Sequence, residues 1–126
     1  MFTALDPFRS VRSPFHSQAI SITGFSEMTF LAGQGGVRPD GTRGNGIAEQ
    51  TVIAMENVVA VLAEGDMSMA NVAKLTIYLT QHDHIPSFVE AASPFLPDPR
   101  PAATLLIVGA LADPSLLVQV EAVAAR

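Results

Sequence analysis

Cysteine is absent from this sequence of 126 residues, and charged side chains are scarce. Without cysteine the chain can form neither a disulfide framework nor a thiolate nucleophile. Charged residues make up 15% of the sequence, against about 25% in ordinary domains. The net charge is −5, and the only lysine, Lys74, stands beside six scattered arginines. Nucleic-acid surfaces need clustered basic side chains, so we expect no nucleic-acid partner.

Long apolar runs are also lacking. No stretch approaches the roughly 20 consecutive apolar residues of a membrane span, and residues 1–15 lack the unbroken apolar segment of a signal peptide. We therefore expect a cytoplasmic protein with no membrane partner. The length suits one domain over residues 1–126, with residues 1–13 as an N-terminal lead-in. A mean hydropathy of +0.34 with so few charges favours an oligomer that buries apolar surface between subunits, although a compact alanine-rich domain is the simpler alternative.

Periodicity indicates an α/β fold in the order ββαβαββ, with one sheet and two helices on one face. Apolar residues at helical spacing (Ala48, Val52, Met55, Val59 and Leu62) predict a helix over residues 47–64, and Pro86 favours a second helix that ends near Pro94. Strict alternation predicts a strand over residues 73–80. The other predicted strands cover residues 18–22, 27–33, 104–111 and 116–124, and the first two are separated by a hairpin-like turn.

Glu121 is the acidic residue that stands out, because it lies inside the apolar run LLVQVEAVAA. Alternation places it on the same strand face as Leu117, Gln119 and Val123. A carboxylate in such an apolar strand must have a partner, or its burial costs several kcal/mol. Glu121 is therefore either a general acid/base or a residue of a solvated face, and the neighbouring Gln119 favours the second interpretation.

Three other motifs have structural explanations that compete with functional ones. The HDH motif at residues 82–84 has a spacing that can bind a metal, but it lies past a strand end and no third ligand is evident, so we expect no metal. The GQGG motif at residues 33–36 is either a turn or a set of backbone donors, because it lacks the ending of a phosphate-binding loop. Phe15 and His16 are candidates for packing and for a pocket rim, since no third member completes a nucleophile.

Several motifs in the same order resemble one family, the Rid (YjgF/RidA) family of reactive intermediate deaminases. The segment AEQTVIAMENVVAVLAEGDMSMANVAKLTIYLT carries the resemblance best, with a Lys-x-Thr-x-Tyr-Leu-Thr strand at its end. FLAGQGGVRPDG resembles the Ser-Gly-Gln strand exit of the family, with Ala32 in place of the serine. PFHSQAI resembles a Pro-Tyr-Ser-Gln-Ala start, and VQVEAVA resembles Ile-Glu-Ile-Glu-Ala-Ile-Ala. The resemblance covers nearly all of the chain after Pro14.

This resemblance implies a chorismate-mutase-like fold assembled as a homotrimer, with small-molecule sites in the clefts between subunits. Family deaminases hydrolyse enamines and imines of 2-keto acids without a metal or an organic cofactor. In them an arginine binds the substrate carboxylate, the backbone at the strand exit assists, and a C-terminal glutamate positions the water. By resemblance Glu121 takes the place of that glutamate and Gly33, next to Gln34, that of the strand-exit glycine.

The chain departs from the family pattern where substrate binding is concerned. The family has Pro-Ala-Arg-Ser/Thr before its penultimate strand, and this sequence has PAAT, so Ala103 replaces the arginine. Ala103 and Leu105 would then line the cleft as an apolar wall, unless Arg100 reaches in from the turn before them. An asparagine of the second helix is replaced by Val89. The aromatic hydroxyl near the start is also absent, although His16 could supply a polar group there.

Two functional hypotheses follow. The first is a Rid-like hydrolase of altered specificity, in which Glu121 acts on water or on a leaving amine. The second is a non-catalytic trimer that binds small molecules in the same clefts. A ribonuclease role is disfavoured because the chain is acidic.

Overall fold

The computed structural model describes residues 1–9 and 11–126, in which six strands and two α-helices are present. Short 3-10 turns precede β4 and flank α2. In chain order the elements are β1 (Phe2–Leu5), β2 (Ala19–Ile22), β3 (Met28–Gly35), α1 (Gly46–Glu64), β4 (Val72–Leu79), α2 (Ile85–Ala92), β5 (Ala102–Ile107) and β6 (Val118–Ala125). The predicted α/β class is confirmed.

Four strands form a mixed sheet in the order β3-β6-β4-β5. β6 is antiparallel to both of its neighbours, β3 and β4, whereas β5 is parallel to β4. β1 and β2 form a separate two-stranded antiparallel sheet. An isolated bridge between Ser17 and Ala102 links this small sheet to the start of β5. The prediction of one sheet is thus confirmed for the four strands on which the helices pack. It is wrong for β1 and β2, which form a second sheet.

The N-terminal ladder corrects two further predictions. β2 does not pair with β3: its partner is β1, with Phe2 opposite Ile22 and Leu5 opposite Ala19. Residues 2–5, assigned to the lead-in, are therefore a strand. At the end of this ladder the carboxylate of Asp6 accepts the Gln18 backbone N–H at 2.9 Å. A four-residue strand carries too little alternation to be recognised in the sequence, and its pairing depends on contacts distant in the chain.

Helix α1 matches the predicted helix, but it buries a different face. Val52 and Val59, which were predicted to lie on the buried stripe, are 37% and 38% exposed. Because α1 is apolar around most of its circumference, the period alone does not select a face. By length and composition α1 could also span a membrane (mean hydropathy 1.3), yet it packs here on β3, β6 and α2. Its buried residues are Gln50, Thr51, Ile53, Ala54, Met55, Val58 and Leu62.

The four-stranded sheet has one covered face and one open face. On β4, Leu75, Ile77 and Leu79 are buried in the core beneath the helices, as the alternation predicts. On β6, Val118 and Val120 are buried in the same core. We call this the helix face. The intervening residues of both strands point the other way, to what we call the open face, where no helix of the described chain covers them.

Candidate functional site

The open face carries a row of polar side chains at its centre. β4 and β6 are antiparallel neighbours, and their register places Thr76 opposite Glu121 and Tyr78 opposite Gln119. Side chains opposite one another on the same face are close enough to interact. All of the polar residues in this row are half-buried, which sets them apart from a fully solvated surface. They are Lys74, Thr76 and Tyr78 on β4, and Gln119 and Glu121 on β6.

Glu121 finds its partner in this row. The Tyr78 hydroxyl donates a hydrogen bond of 2.8 Å to Oε1 of Glu121. This hydrogen bond raises the pKa of Tyr78 above its ordinary value, and burial and the Glu121 charge act in the same direction. Tyr78 therefore stays protonated at neutral pH and holds one carboxylate oxygen in place. The other oxygen, Oε2, accepts no hydrogen bond from the described residues, so it can bind water or a ligand.

A cavity of about 190 Å³ opens beside Glu121. Lys74 forms one of its polar edges, and the Lys74 Nζ donates to Thr104 Oγ1 at 2.6 Å. Phe30, at one apolar edge, is 73% exposed. The cavity thus combines a carboxylate, an ammonium group and a hydroxyl with apolar walls, which is typical of small-molecule sites. The lining residues are Phe30, Leu31, Lys74, Thr76, Glu121, Ala122 and Val123.

Gly33 lies at an irregularity of β3. The register against β6 shifts between Leu31 and Gln34, which is the signature of a β-bulge. The side chain of Gln119 covers Gly33 so closely that a Cβ there would overlap with it. The Gln34 amide donates to the Ala32 carbonyl of the same strand at 3.1 Å. The side chain that packs against Gly33 is therefore the amide of Gln119, which lies two residues before Glu121.

The remaining candidate residues form a second group on the other face of the sheet. Ala103 and Leu105 pair with the buried Leu75 and Ile77 and pack against the core. Phe15 joins them there, in edge-to-face contact with Phe88 at 5.9 Å between ring centroids. These three side chains therefore serve packing on the helix face. They are separated from Glu121 and Gly33 by the thickness of the sheet.

Arg100 and His16 stand near this second group. The Arg100 guanidinium donates to the backbone carbonyls of Pro14 at 3.2 Å and Leu96 at 2.9 Å. It thereby ties the N-terminal segment to the turn before β5. Because two of its N–H groups bind backbone carbonyls, the Arg100 side chain stabilises the contact between these two segments. His16 is half-buried beside Ser17, whose hydroxyl donates to the Arg100 carbonyl at 2.7 Å.

The remaining motifs take structural places. Residues His82–His84 form a 3-10 turn that leads into α2, and the described chain contains no group of three or more side chains arranged to bind a metal. In GQGG, Gly36 packs against Gln50, because a Cβ at Gly36 would lie 2.6 Å from the Gln50 Cβ. The Gln50 amide in turn donates to Gly44 O and Ser115 O and accepts the Leu117 N–H. The loop after β3 is thus held by packing and by one buried amide.

Four polar residues of the row were not predicted as site residues from the sequence: Lys74, Thr76, Tyr78 and Gln119. The alternation of side chains along a strand could have pointed to them, because it places Lys74 and Tyr78 on one face of β4. It likewise places Gln119 on the same face of β6 as Glu121. What alternation does not give is the pairing of β4 with β6. That pairing joins residues 43 positions apart, such as Tyr78 and Glu121.

Comparison with known proteins identifies relatives over almost the whole chain. The family model described as Endoribonuclease L-PSP matches residues 11–126. The chain is 30% identical over 113 residues to the protein mmf2, mitochondrial, of Schizosaccharomyces pombe, covering 88% of this chain and 87% of that protein. It is 32% identical over 112 residues to a RutC family protein of Pyrococcus abyssi, covering 86% and 84%.

Solved structures agree with the fold described above. A protein from Yersinia pestis, titled a protein of unknown function of the conserved Rid protein family, superposes with a TM-score of 0.88 at 24% identity and covers 99% of this chain and 98% of its own. At that identity the likeness concerns the fold alone. A Mycobacterium tuberculosis member of the YjgF/YER057c/UK114 family superposes with a TM-score of 0.72 at 28% identity, covering 88% of this chain and 86% of that one.

Proposed function

Because this chain belongs to the Endoribonuclease L-PSP family, which is the YjgF/RidA family, we propose that it is a small-molecule hydrolase of imines or enamines with altered specificity. The observation that carries the proposal is the Tyr78–Glu121 pair at the edge of a cavity on the open face. A carboxylate fixed at one oxygen and free at the other suits a general base that must act on a bound water.

The proposed reaction uses only water as a co-reactant. Glu121 accepts a proton from water as the water oxygen bonds to the imine carbon, and the C=N electron pair moves to nitrogen. The protonated Glu121 then returns this proton to the nitrogen, which gives a carbinolamine. In a second transfer Glu121 takes the hydroxyl proton and passes it to the nitrogen, so that the C=O bond forms as the C–N bond breaks and ammonia leaves from a carbonyl product. In this proposal the backbone groups that bind the oxygen belong to the bulge of β3 beside Gly33, because a bulge leaves ladder groups without a strand partner.

The proposed change in substrate specificity follows from the residue at position 103, near the start of β5, which is an alanine and carries no positive charge. Ala103 offers only a methyl group, and that methyl packs against the core. Arg100 uses its guanidinium on two backbone carbonyls. A bidentate arginine–carboxylate contact is among the stronger polar interactions, at about 1.5–3 kcal/mol for a bond to a charged group. Substrates that depend on such a contact at this position are therefore expected to bind poorly.

We propose further that the protein acts as a homotrimer with its ligand sites between subunits. The two groups of candidate residues lie on opposite faces of one sheet, so one subunit does not bring them together. The open face also exposes large apolar side chains, including Phe30 at 73% and Leu106 at 47%, and such surface favours burial in an assembly. Light scattering after size exclusion should give three times the chain mass of 13.3 kDa, and a monomer would contradict the proposal.

A second candidate function is a trimer that binds small molecules without catalysis. It is favoured by Gln119, because a neutral amide, which can neither accept nor return a proton at neutral pH, covers the strand-exit glycine. A ribonuclease activity has less support. Arg38, Arg43 and Arg126 are each paired with a carboxylate, which leaves no cluster of free cations in the described chain for phosphate groups.

The test measures ammonia release from freshly generated imines. We expect 2-iminopropionate to be hydrolysed slowly by the wild-type protein, and one or more imines from an amine-oxidase panel that lacks 2-carboxylates to be hydrolysed faster. Ala103→Arg should gain activity on 2-iminopropionate. Wild-type turnover of 2-iminopropionate at the rate of a family deaminase would contradict altered specificity. Ligand binding without turnover of any imine would establish the non-catalytic alternative.

A further inference from the structure

An asparagine followed by glycine stands where the loop after β3 meets α1, and its side chain differs from those of the other asparagines. The chain has three asparagines, Asn45, Asn57 and Asn71. The side-chain amides of Asn57 and Asn71 each form two hydrogen bonds with backbone groups. The exposed side chain of Asn45 forms none with the described residues and does not cap the helix. Asn45 is therefore the asparagine whose carboxamide, a thermolabile group, is free to react.

The residue after Asn45 leaves this carboxamide open to attack by the backbone. Gly46 has a φ of +84°, in the left-handed region, and a Cβ built there would meet nothing within 4 Å. Its N–H lies in the first turn of α1 and so has no acceptor within the helix. Asn57 and Asn71 are each followed by a valine, whose branched Cβ crowds the backbone nitrogen. A free nucleophile, a free carbonyl carbon and open space thus meet at Asn45 alone among the three asparagines.

We propose that Asn45 is a site of spontaneous modification, at which the Gly46 nitrogen closes a succinimide ring that water opens to aspartate or isoaspartate. The Gly46 nitrogen loses its proton and bonds to Cγ of Asn45, the C–N bond of the carboxamide breaks, and the NH2 group takes up a proton and leaves as ammonia. Water then adds to one of the two ring carbonyls. Cleavage of the Cγ–N bond gives aspartate, and cleavage of the bond from the main-chain carbonyl carbon to nitrogen gives isoaspartate. Water is the only co-reactant, so the inference is independent of the proposed hydrolase activity.

The same loop contains a second residue of this kind before a glycine, Asp40, which is held against the reaction. Gly41 also has a positive φ, of +87°. The Asp40 carboxylate, however, accepts the Thr42 hydroxyl at 2.7 Å and the Thr42 N–H at 2.9 Å. The bond from the hydroxyl, followed by that from the N–H, lowers the pKa of Asp40 below its ordinary value. Ring closure at an aspartate expels water and needs the protonated carboxyl, so these bonds disfavour it at Asp40.

The two products should affect the start of α1 differently. The Asn45 N–H donates to Glu49 Oε2 at 2.8 Å. On either side the chain is fixed, because the Gly44 carbonyl accepts the Gln50 amide and a Cβ at Gly44 would lie 2.8 Å from the Gln50 nitrogen. Aspartate keeps the length of the backbone and places a negative charge at the N-terminus of a helix, where it is favourable. Isoaspartate adds a methylene to the backbone between these fixed points, so it should weaken the hydrogen bond from the Leu117 N–H to Gln50.

The test follows the three asparagines while the folded protein is incubated in warm, mildly alkaline buffer. Trypsin cuts after Arg43 and Lys74, so all three lie in one tryptic fragment. Tandem mass spectrometry should locate the exchange of NH2 for OH at Asn45. Its rate there should be about tenfold or more above that at Asn57 or Asn71, because each of these must first lose its hydrogen bonds. Fresh protein digested in parallel corrects for conversion during digestion. Equal rates at the three positions, or no conversion at Asn45, would overturn the proposal.

Asn45→Ser is the matched control, because serine remains a helix-capping residue but has no carbonyl carbon to attack. A methyltransferase specific for isoaspartate should label aged wild type and leave aged Asn45→Ser unlabelled. Equal labelling of both would place the isoaspartate elsewhere, at Asp40 for example, and would refute the assignment to Asn45.

Asn45→Asp separates the effects of the two products. Its thermal midpoint should equal that of fresh wild type, whereas the isoaspartate form, separated by chromatography, should unfold a few degrees lower. Hydrogen exchange at the Leu117 amide should also be faster in the isoaspartate form than in Asn45→Asp. Identical midpoints and exchange rates for these two forms would contradict the predicted effect on α1.

Discussion

The two faces of the four-stranded sheet differ in what their side chains do, although the same strands supply both. On the helix face, Leu75, Ile77 and Leu79 of β4 are at most 1% exposed and form the centre of the core. On the open face the alternate residues Lys74, Thr76 and Tyr78 are half-buried and make hydrogen bonds or line the cavity. The packed core thus lies on one face of the sheet, and the proposed ligand site lies on the other.

The difference between the two faces also explains why a charged side chain fits at position 121 but not at position 103. Ala103 is on the helix face, where a methyl group packs well and a charge would need a partner. Glu121 is on the open face, where Tyr78 supplies one. A substitution at the start of β5 must therefore fit the core, whereas a substitution in the polar row leaves the core packing unchanged.

The largest expected effect comes from neighbouring residues on β4. Ile77→Ala should lower the free energy of unfolding by about 2–5 kcal/mol, because it removes buried methyl groups and leaves a cavity. Thr76→Ala, one residue away on the open face, should change it by less than about 1 kcal/mol. Urea unfolding of the two variants measures the difference. Similar losses for both would mean that the open face is also part of the stabilising core.

The next effect concerns catalysis on the open face. Glu121→Gln should lower imine hydrolysis by about a hundredfold or more, the scale of a lost general base, with little change in thermal stability. Tyr78→Phe should reduce the rate less, because it removes only the group that orients the carboxylate. Ammonia release under saturating substrate measures both. If Glu121→Gln left every detectable activity unchanged, the catalytic role of Glu121 would be wrong.

A smaller effect is expected where a polar group lies on the buried side of the fold. Gln50 is 3% exposed, and its amide satisfies Gly44 O, Ser115 O and Leu117 N. Gln50→Ala should destabilise the protein by about 1–3 kcal/mol, since these backbone groups lose their partner. Faster hydrogen exchange at the Leu117 amide would locate the loss. Glu56→Ala, at an exposed position of the same helix, is the control and should leave that amide protected.

The smallest expected effect is the pH dependence of the stability contributed by a surface carboxylate, Asp113. Hydrogen bonds from Ser115, and then from Arg43, lower the pKa of Asp113 from its ordinary value of 3.8 to about 2. A lowered pKa means that the folded state favours the charged form, so this contribution is present above pH 3.8 and is lost as the pH falls toward 2. The urea midpoint of wild type should decline over that range more steeply than that of Asp113→Asn. Parallel declines would show that Asp113 makes no contribution.

The sequence predicted the layers of the fold better than the site. Alternation over residues 73–80 gave the faces of β4, and the helical period gave the extent of α1, because both signals are local. Local signals did not predict the pairing of β2 with β1 or the buried face of α1. Both depend on which segments, distant in the sequence, pack against these elements. Glu121 was recognisable as a charge in an apolar strand, whereas its partner Tyr78 was not, because no local rule links positions 43 residues apart.

The sequence by itself determined that this chain has an α/β fold, that it lacks cysteine chemistry, and that Ala103 stands in β5 where the resemblance implies an arginine. These are properties of composition, periodicity and motif, and they need no knowledge of contacts. Only the tertiary structure decided that Ala103 packs on the helix face, that Gln119 covers Gly33, and that Lys74 shares a cavity with Glu121. The physical reason is that strand register and sheet order set which side chains meet, and both are fixed by packing of the whole chain.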